Sequence, residues 1–180
     1  MRSAPQPYSH GFNAWWAFNM RPENDGQADD TGSPNDPPTR WGFTFPTWQD
    51  ARRWCGYADA SFAAFVASSQ DDMQMLAWSY YWERLGMLDV RLGADISTVD
   101  WCWTSGGAAL EIQKILDVQP LDGIIGDITI AAINADEAYI DRVYGARVAY
   151  YNDLGFQDVF PGLYTRAAAC RERSMQAAMP

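Results

Sequence analysis

Residues 70–86, QDDMQMLAWSYYWERLG, are the most strongly periodic segment of the chain and decide its fold class. Met73, Leu76, Ala77 and Tyr80 recur at the spacing that lines one face of an α-helix. Asp71 and Asp72 stand in the first turn, where the helix dipole favours negative charge, and Gly86 follows as a stop. Trp78, Tyr81 and Trp82 add aromatic surface on the other faces, so the segment predicts a core helix buried nearly all round.

Upstream, Phe12, Trp15, Trp16 and Met20 repeat at helical spacing and predict a first amphipathic helix over 8–20. It must stop before Pro22, because the residue ahead of a proline avoids helical backbone. Residues 21–40, RPENDGQADDTGSPNDPPTR, concentrate Asp, Asn, Gly, Ser and Pro and read as a loop or irregular hairpin projecting from a helical body. The WGFTF run, Trp41 to Phe45, reads as a short strand. A helix capped by Thr47 is expected to run through Arg53 and end at Gly56, with a further helix over about 61–69.

Beyond Asp95 the pattern stays helical. Apolar residues run from Ile96 to Trp103, Ser105-Gly106-Gly107 marks a break, and helices follow over 108–116, 128–133, 136–154 and 163–178. In the long one, Ile140, Val143, Arg147 and Tyr151 share a face. In DGIIGDIT, residues 122–129, Gly123 and Gly126 form a tight turn with Ile124 and Ile125 expected to pack inward. The chain is therefore mainly α, with a small irregular loop or hairpin near its N-terminus.

Composition narrows the function. The chain has 180 residues, 48% of them hydrophobic and 20% charged, which suffices for a real core. No apolar run approaches the ~18 residues that a membrane span needs, so stable membrane insertion is not expected. The first twenty residues lack the basic start, smooth apolar stretch and small-residue cleavage site of a secretory signal. The expected product is a soluble cytoplasmic protein that something else must export if it acts outside. A net charge of -10 argues against a nucleic-acid partner, since phosphate binding needs clustered Lys and Arg. Cys55, Cys102 and Cys170 are widely spaced and His10 stands alone, so neither a zinc site nor a disulfide framework is expected. A calcium loop in 21–40 fails for want of a Glu at the required distance.

The acidity comes from 18 Asp and only 5 Glu. Glu83, Glu111, Glu137 and Glu172 fall inside predicted helices, where a solvated face or surface ion pair accounts for them. Glu23 alone lies where a helix end meets a turn-rich loop. Glycosidic bond cleavage needs a carboxylic acid that stays protonated near neutrality, and a Glu desolvated by Trp15, Trp16 or Trp41 meets that need. A second group must stabilise charge on the sugar or orient water; Asp25, Asp29, Asp30, Asp36 and Thr39 are available. Trp41, Trp48, Trp101 and Trp103 are candidates to line a glycan groove, because aromatic faces pack on sugar C–H surfaces.

From Phe12 to Trp48 the chain resembles the start of glycoside hydrolase family 108, phage and bacterial N-acetylmuramidases with a lysozyme-like α-helical fold. The closing T-x-x-G-I-T of that pattern is matched by Thr39-Arg40-Trp41-Gly42-Phe43-Thr44, and YYWERLG by the Tyr-Trp that ends the family's core helix. Asn24 and Asp25 stand where the family has two glycines after its Glu. The C-terminal half resembles the accompanying peptidoglycan-binding region through Asp100, LEIQKILDV (110–118), DGIIGDIT, RVAYYNDL (147–154) and, loosely, FPGLYTR (160–166). The resemblance implies a muramidase-like region over 8–92 and a helical peptidoglycan-binding-like region over 93–178 packed on it. It implies Glu23 as general acid, Asp30 or Asp36 as the second carboxylate, and Thr39 as support, with no cofactor and no metal. The implied activity is cleavage of the β-1,4 bond between N-acetylmuramic acid and N-acetylglucosamine in peptidoglycan glycan strands, outside the cytoplasm, after holin-dependent or virion-borne export. Two other readings stay open: a catalytically silent glycan-binding or virion structural protein of the same fold, and a lytic transglycosylase.

Overall fold

The computed structural model describes residues 8–20 and 37–179. Glu23, Asp30 and Asp36 lie outside the described residues. Contacts divide the chain into two compact units, 1–84 and 85–180, where the sequence reading divides it at 92/93.

In the first unit, helix α1 spans His10–Asn19 and is capped by Ser9, whose Oγ accepts from the Phe12 N–H at 3.2 Å. Phe12, Trp15 and Trp16 are buried. Strands β1 (Thr39–Arg40) and β2 (Phe43–Thr44) pair antiparallel, Thr39 opposite Thr44 and Arg40 opposite Phe43. Trp41 and Gly42 both have positive φ, 50° and 80°, the backbone that a two-residue turn needs to match strand twist. The expected strand over 41–45 is thus corrected: its first two residues are the turn. Helix α2 (Phe45–Trp54) starts two residues before Thr47, with Thr44 at the cap position and Pro46 in the first turn. Thr47 therefore lies inside the helix and does not cap it; its Oγ1 accepts from the Thr44 hydroxyl at 2.9 Å, and Thr44 makes no side-chain cap bond.

Ser61 caps the short α3 (Phe62–Ala67), and extended Ser68 separates it from α4 (Gln70–Ala77). Ser69 and Asp72 close a reciprocal capping box: Ser69 Oγ accepts from the Asp72 N–H at 3.1 Å, and Asp72 Oδ2 accepts from the Ser69 N–H at 2.9 Å. After Ala77 the helix continues as a π-helix over Trp78–Glu83. The change of period explains why the burial departs from α-helical expectation. Trp78 and Trp82 are buried with stacked rings, while Tyr80 and Tyr81 are half-buried and meet edge to face at 5.1 Å.

The second unit is built on α5 (Ala94–Thr104), in which every residue from Ala94 to Trp101 is buried. Against it pack α6 (Ala108–Ile115), α8 (Tyr139–Asp153) and α9 (Pro161–Ala178); α7 (Asp127–Ala135) precedes α8. Gly93, at φ +89°, opens α5 where a Cβ would collide with the Ser174 carbonyl oxygen of α9. That close approach requires glycine. Ile140, Val143, Arg147 and Tyr151 are buried together on α8, as the periodicity predicts. In residues 122–129, Ile125 packs inward but Ile124 is 65% exposed, so the expectation of two inward isoleucines is corrected. Gln113 replaces the second one as the organiser of the turn. Its Nε2 donates to Asp122 Oδ1 (2.8 Å) and to the Ile124 carbonyl (3.0 Å), and its Oε1 accepts from the Gly123 N–H (2.8 Å).

Candidate active site

The turn-rich segment that contains Glu23 leaves α1 and re-enters the described chain at Pro37. Both flanking elements are anchored on the same π-helix. From α1, the Phe12 ring meets Trp78 at 5.0 Å and Trp82 at 5.5 Å, both edge-on, and Trp15 meets Trp82 at 6.1 Å. From the hairpin, buried Phe43 meets Tyr81 at 6.1 Å. Arg40 Nε donates to the Ser68 carbonyl at 3.0 Å, tying β1 to the α3–α4 junction. The Phe45 N–H closes on the Pro38 carbonyl at 2.8 Å, which fixes where the hairpin begins. Large, close-packed rings resist small displacements, so the two flanks are held by a stiff frame. A π-turn inside an α-helix is itself a feature that recurs at functional sites.

The expected supporting residues divide sharply. Thr39 is half-buried, and its Oγ1 donates to the Pro37 carbonyl at 3.2 Å, leaving its lone pairs for a further donor. Trp41 sits at the hairpin tip, half-buried, and its indole N–H is buried with no hydrogen-bond partner among the described residues. Trp103 is half-buried in the last turn of α5. Trp48 and Trp101 are corrected: both are fully buried. Trp48 packs on Phe65 at 5.4 Å and Trp101 on Tyr150 at 6.0 Å. A ring enclosed on every side has no face for a sugar, so these two are core.

Among the described residues no cluster of His, Cys, Asp and Glu has the arrangement to hold a metal ion, and none of the three cysteines forms a disulfide. Burial raises the Cys170 thiol pKa far above its ordinary value, which makes it inert.

The second unit hides an ionic cluster that sequence reading did not assemble. Asp100, with no exposed surface, accepts from Arg147 Nη1 at 2.8 Å and from Arg166 through both of its oxygens. Arg147 also donates to Tyr151 Oη (2.8 Å) and Thr104 Oγ1 (2.9 Å). Burial pushes the Asp100 carboxyl up, but Arg166 and then Arg147 outweigh it and hold the pKa at about 2. The signal was present: Asp100 and Arg147 both fall on otherwise apolar helical faces. Asp95, also buried, accepts the Gly93 and Ile96 N–H groups on one oxygen, yet burial dominates and raises it to about 7. A shallow cleft of about 150 Å³ lies beside the Gln113-held turn, lined among others by Pro120, Asp122, Ile124 and Thr129.

These features define a mainly helical protein of two compact units with a small N-terminal hairpin. No family model matches the chain, and no curated protein matches it. Among solved structures it is similar to SagA from Brucella abortus, at 25% identity over 94% of each chain and a TM-score of 0.76.

Proposed function

We propose that the protein is a peptidoglycan hydrolase of the N-acetylmuramidase type, related to glycoside hydrolase family 108 and lysozyme-like in fold. The observation that carries the reading is the shared anchoring of α1 and the T-R-W-G-F-T hairpin on one aromatic π-helix. A catalytic acid on the segment between two such flanks has its ends pre-positioned, which is what general acid catalysis requires.

In this reading Glu23 donates its proton to the bridging glycosidic oxygen as the bond to the sugar breaks. Asp30 or Asp36 stabilises the oxocarbenium-like transition state or orients the attacking water, and Thr39 supports that group. Trp41, half-buried at the hairpin tip, offers the exposed part of its ring to the glycan. No described helix is long and apolar enough to cross a membrane; in this reading the protein reaches the cell wall through a holin or carried in a virion.

Digestion of purified peptidoglycan by wild type and Glu23→Gln tests the reading. New reducing ends from wild type and a loss of roughly a hundredfold or more in the variant are expected. Products ending in 1,6-anhydro sugars instead identify a lytic transglycosylase. A wild type that binds strands without cutting them is a glycan-binding protein, and a fully active variant removes Glu23 from the chemistry.

A further inference from the structure

Arg84 occupies an unusual position for a cation in so acidic a chain. Arg53, Lys114, Arg142, Arg147, Arg166 and Arg171 all reach carboxylates. The exposed Arg84 guanidinium makes no hydrogen bond and no ion pair among the described residues. It lies instead over two rings, 4.7 Å from the centre of Tyr80 and 5.4 Å from that of Trp54. Trp54, in the last turn of α2, is 55% exposed. Its neighbours on that turn are already engaged: Arg52 donates twice to the Asp59 carbonyl, and Arg53 pairs with Asp50.

Two physical consequences follow. Ring contact strips water from the flat surface of the guanidinium and restrains its orientation, while its edge N–H donors stay available for a planar, two-oxygen acceptor. The remaining indole surface of Trp54 is an apolar plane beside those donors, suited to the C–H face of a pyranose. A carboxylate and a sugar face on one ligand satisfy both at once.

We infer that Trp54, Tyr80 and Arg84 form a surface subsite for a carboxylate-bearing sugar of the glycan strand, the lactyl carboxylate of muramic acid pairing with Arg84 while the ring lies on Trp54. This rests on the peptidoglycan reading above and adds to it a second attachment point outside the Glu23 segment. The subsite holds polymer near the enzyme and takes no part in bond cleavage. It also gives an acidic protein a local cationic contact with an acidic polymer, where its overall field is repulsive.

The test titrates the full-length Glu23→Gln chain, so that strands are not cut, with peptide-free glycan strands carrying free lactyl carboxylates and with the same strands methyl-esterified. Calorimetry at low ionic strength is expected to show affinity about tenfold weaker for the ester, the worth of one charge-assisted pair. Adding Arg84→Gln abolishes that difference, and adding Trp54→Ala weakens both ligands alike. Both side chains are exposed, so the variants should unfold at the parent's urea midpoint. Equal affinity for acid and ester, or unchanged sensitivity in Arg84→Gln, overturns the subsite, as does the absence of strand binding. If wild type generates reducing ends while binding ignores Arg84, the subsite alone fails. If binding depends on Arg84 but no strand is ever cut, the hydrolase reading alone fails.

Discussion

Replacing Asp100 by Asn probes the interior of the second unit most directly. The substitution preserves shape and removes one charge from a site where Asp100 is wholly buried and the Arg147 side chain is only 2% exposed. Arg147 keeps its bonds to Tyr151 and Thr104 but loses its counter-charge. Breaking a buried pair in this way costs about 3–5 kcal/mol, mostly because a cation is left in a poorly polarisable interior. Protonating the carboxylate in the wild type is a gentler perturbation. A pKa near 2 in place of an unfolded value near 3.8 corresponds to stability on the order of 2 kcal/mol. The two figures differ because protonation leaves an O–H and a carbonyl in place of the anion without otherwise repacking the site, whereas Asn also points N–H donors at guanidinium donors.

The sign of the pH dependence follows from the depressed pKa. This contribution is fully present above the unfolded value near 3.8 and is lost as pH falls through 3.8 toward 2. Urea unfolding followed by tryptophan fluorescence measures it. At neutral pH Asp100→Asn should lower the midpoint at constant slope, and the gap to wild type should narrow once the pH drops below about 4. Asp100→Asn/Arg147→Met, which removes the stranded cation as well, should recover part of the loss. A single-mutant cost below about 1 kcal/mol, or a double mutant weaker by the full sum of the two singles, refutes the account of the cluster as a coupled buried unit.

Three further outcomes are expected. Gly93→Ala should destabilise by more than about 2 kcal/mol in urea, because its Cβ meets the Ser174 carbonyl at a positive φ, while Gly106→Ala, with nothing near its Cβ, should be nearly neutral. Asp95 has the opposite linkage to Asp100: the folded state holds its proton up to about pH 7, so stability from this group falls as pH rises from about 4 to 7. Asp95→Asn should therefore be more stable than wild type at pH 8, with the advantage vanishing near pH 4 in parallel urea melts. Trp41→Asn relieves a left-handed backbone at the hairpin tip and should gain about 1 kcal/mol or stay neutral in thermal unfolding, while lowering turnover of peptidoglycan by the hydrolase reading.

Much of the helical architecture was legible because its cause is local. The 3.6-residue recurrence of Phe12, Trp15 and Trp16, or of Ile140, Val143, Arg147 and Tyr151, reports which face must leave water, and the structure buries those faces. Proline, glycine and the acidic first turn at Asp71 and Asp72 likewise act within a few residues of themselves. Trp48 and Trp101 show where this reasoning stops. An indole is as fit for a sugar as for a core, and only the presence of Phe65 or Tyr150 across it decides which.

The amino-acid sequence by itself determined the helical class, the turn-rich interruption after α1 and the isolation of Glu23 from the other glutamates, since each depends on residues near in the chain. The tertiary structure alone decided that α1 and the hairpin share one π-helix, that Asp100 is shared by Arg147 and Arg166, and that Arg84 rests on Tyr80 and Trp54. Arg147 and Arg166 lie 47 and 66 positions from Asp100, and no periodicity extends across such a gap. Charge pairing and ring stacking act through space, so their partners become known only once the chain has folded back on itself.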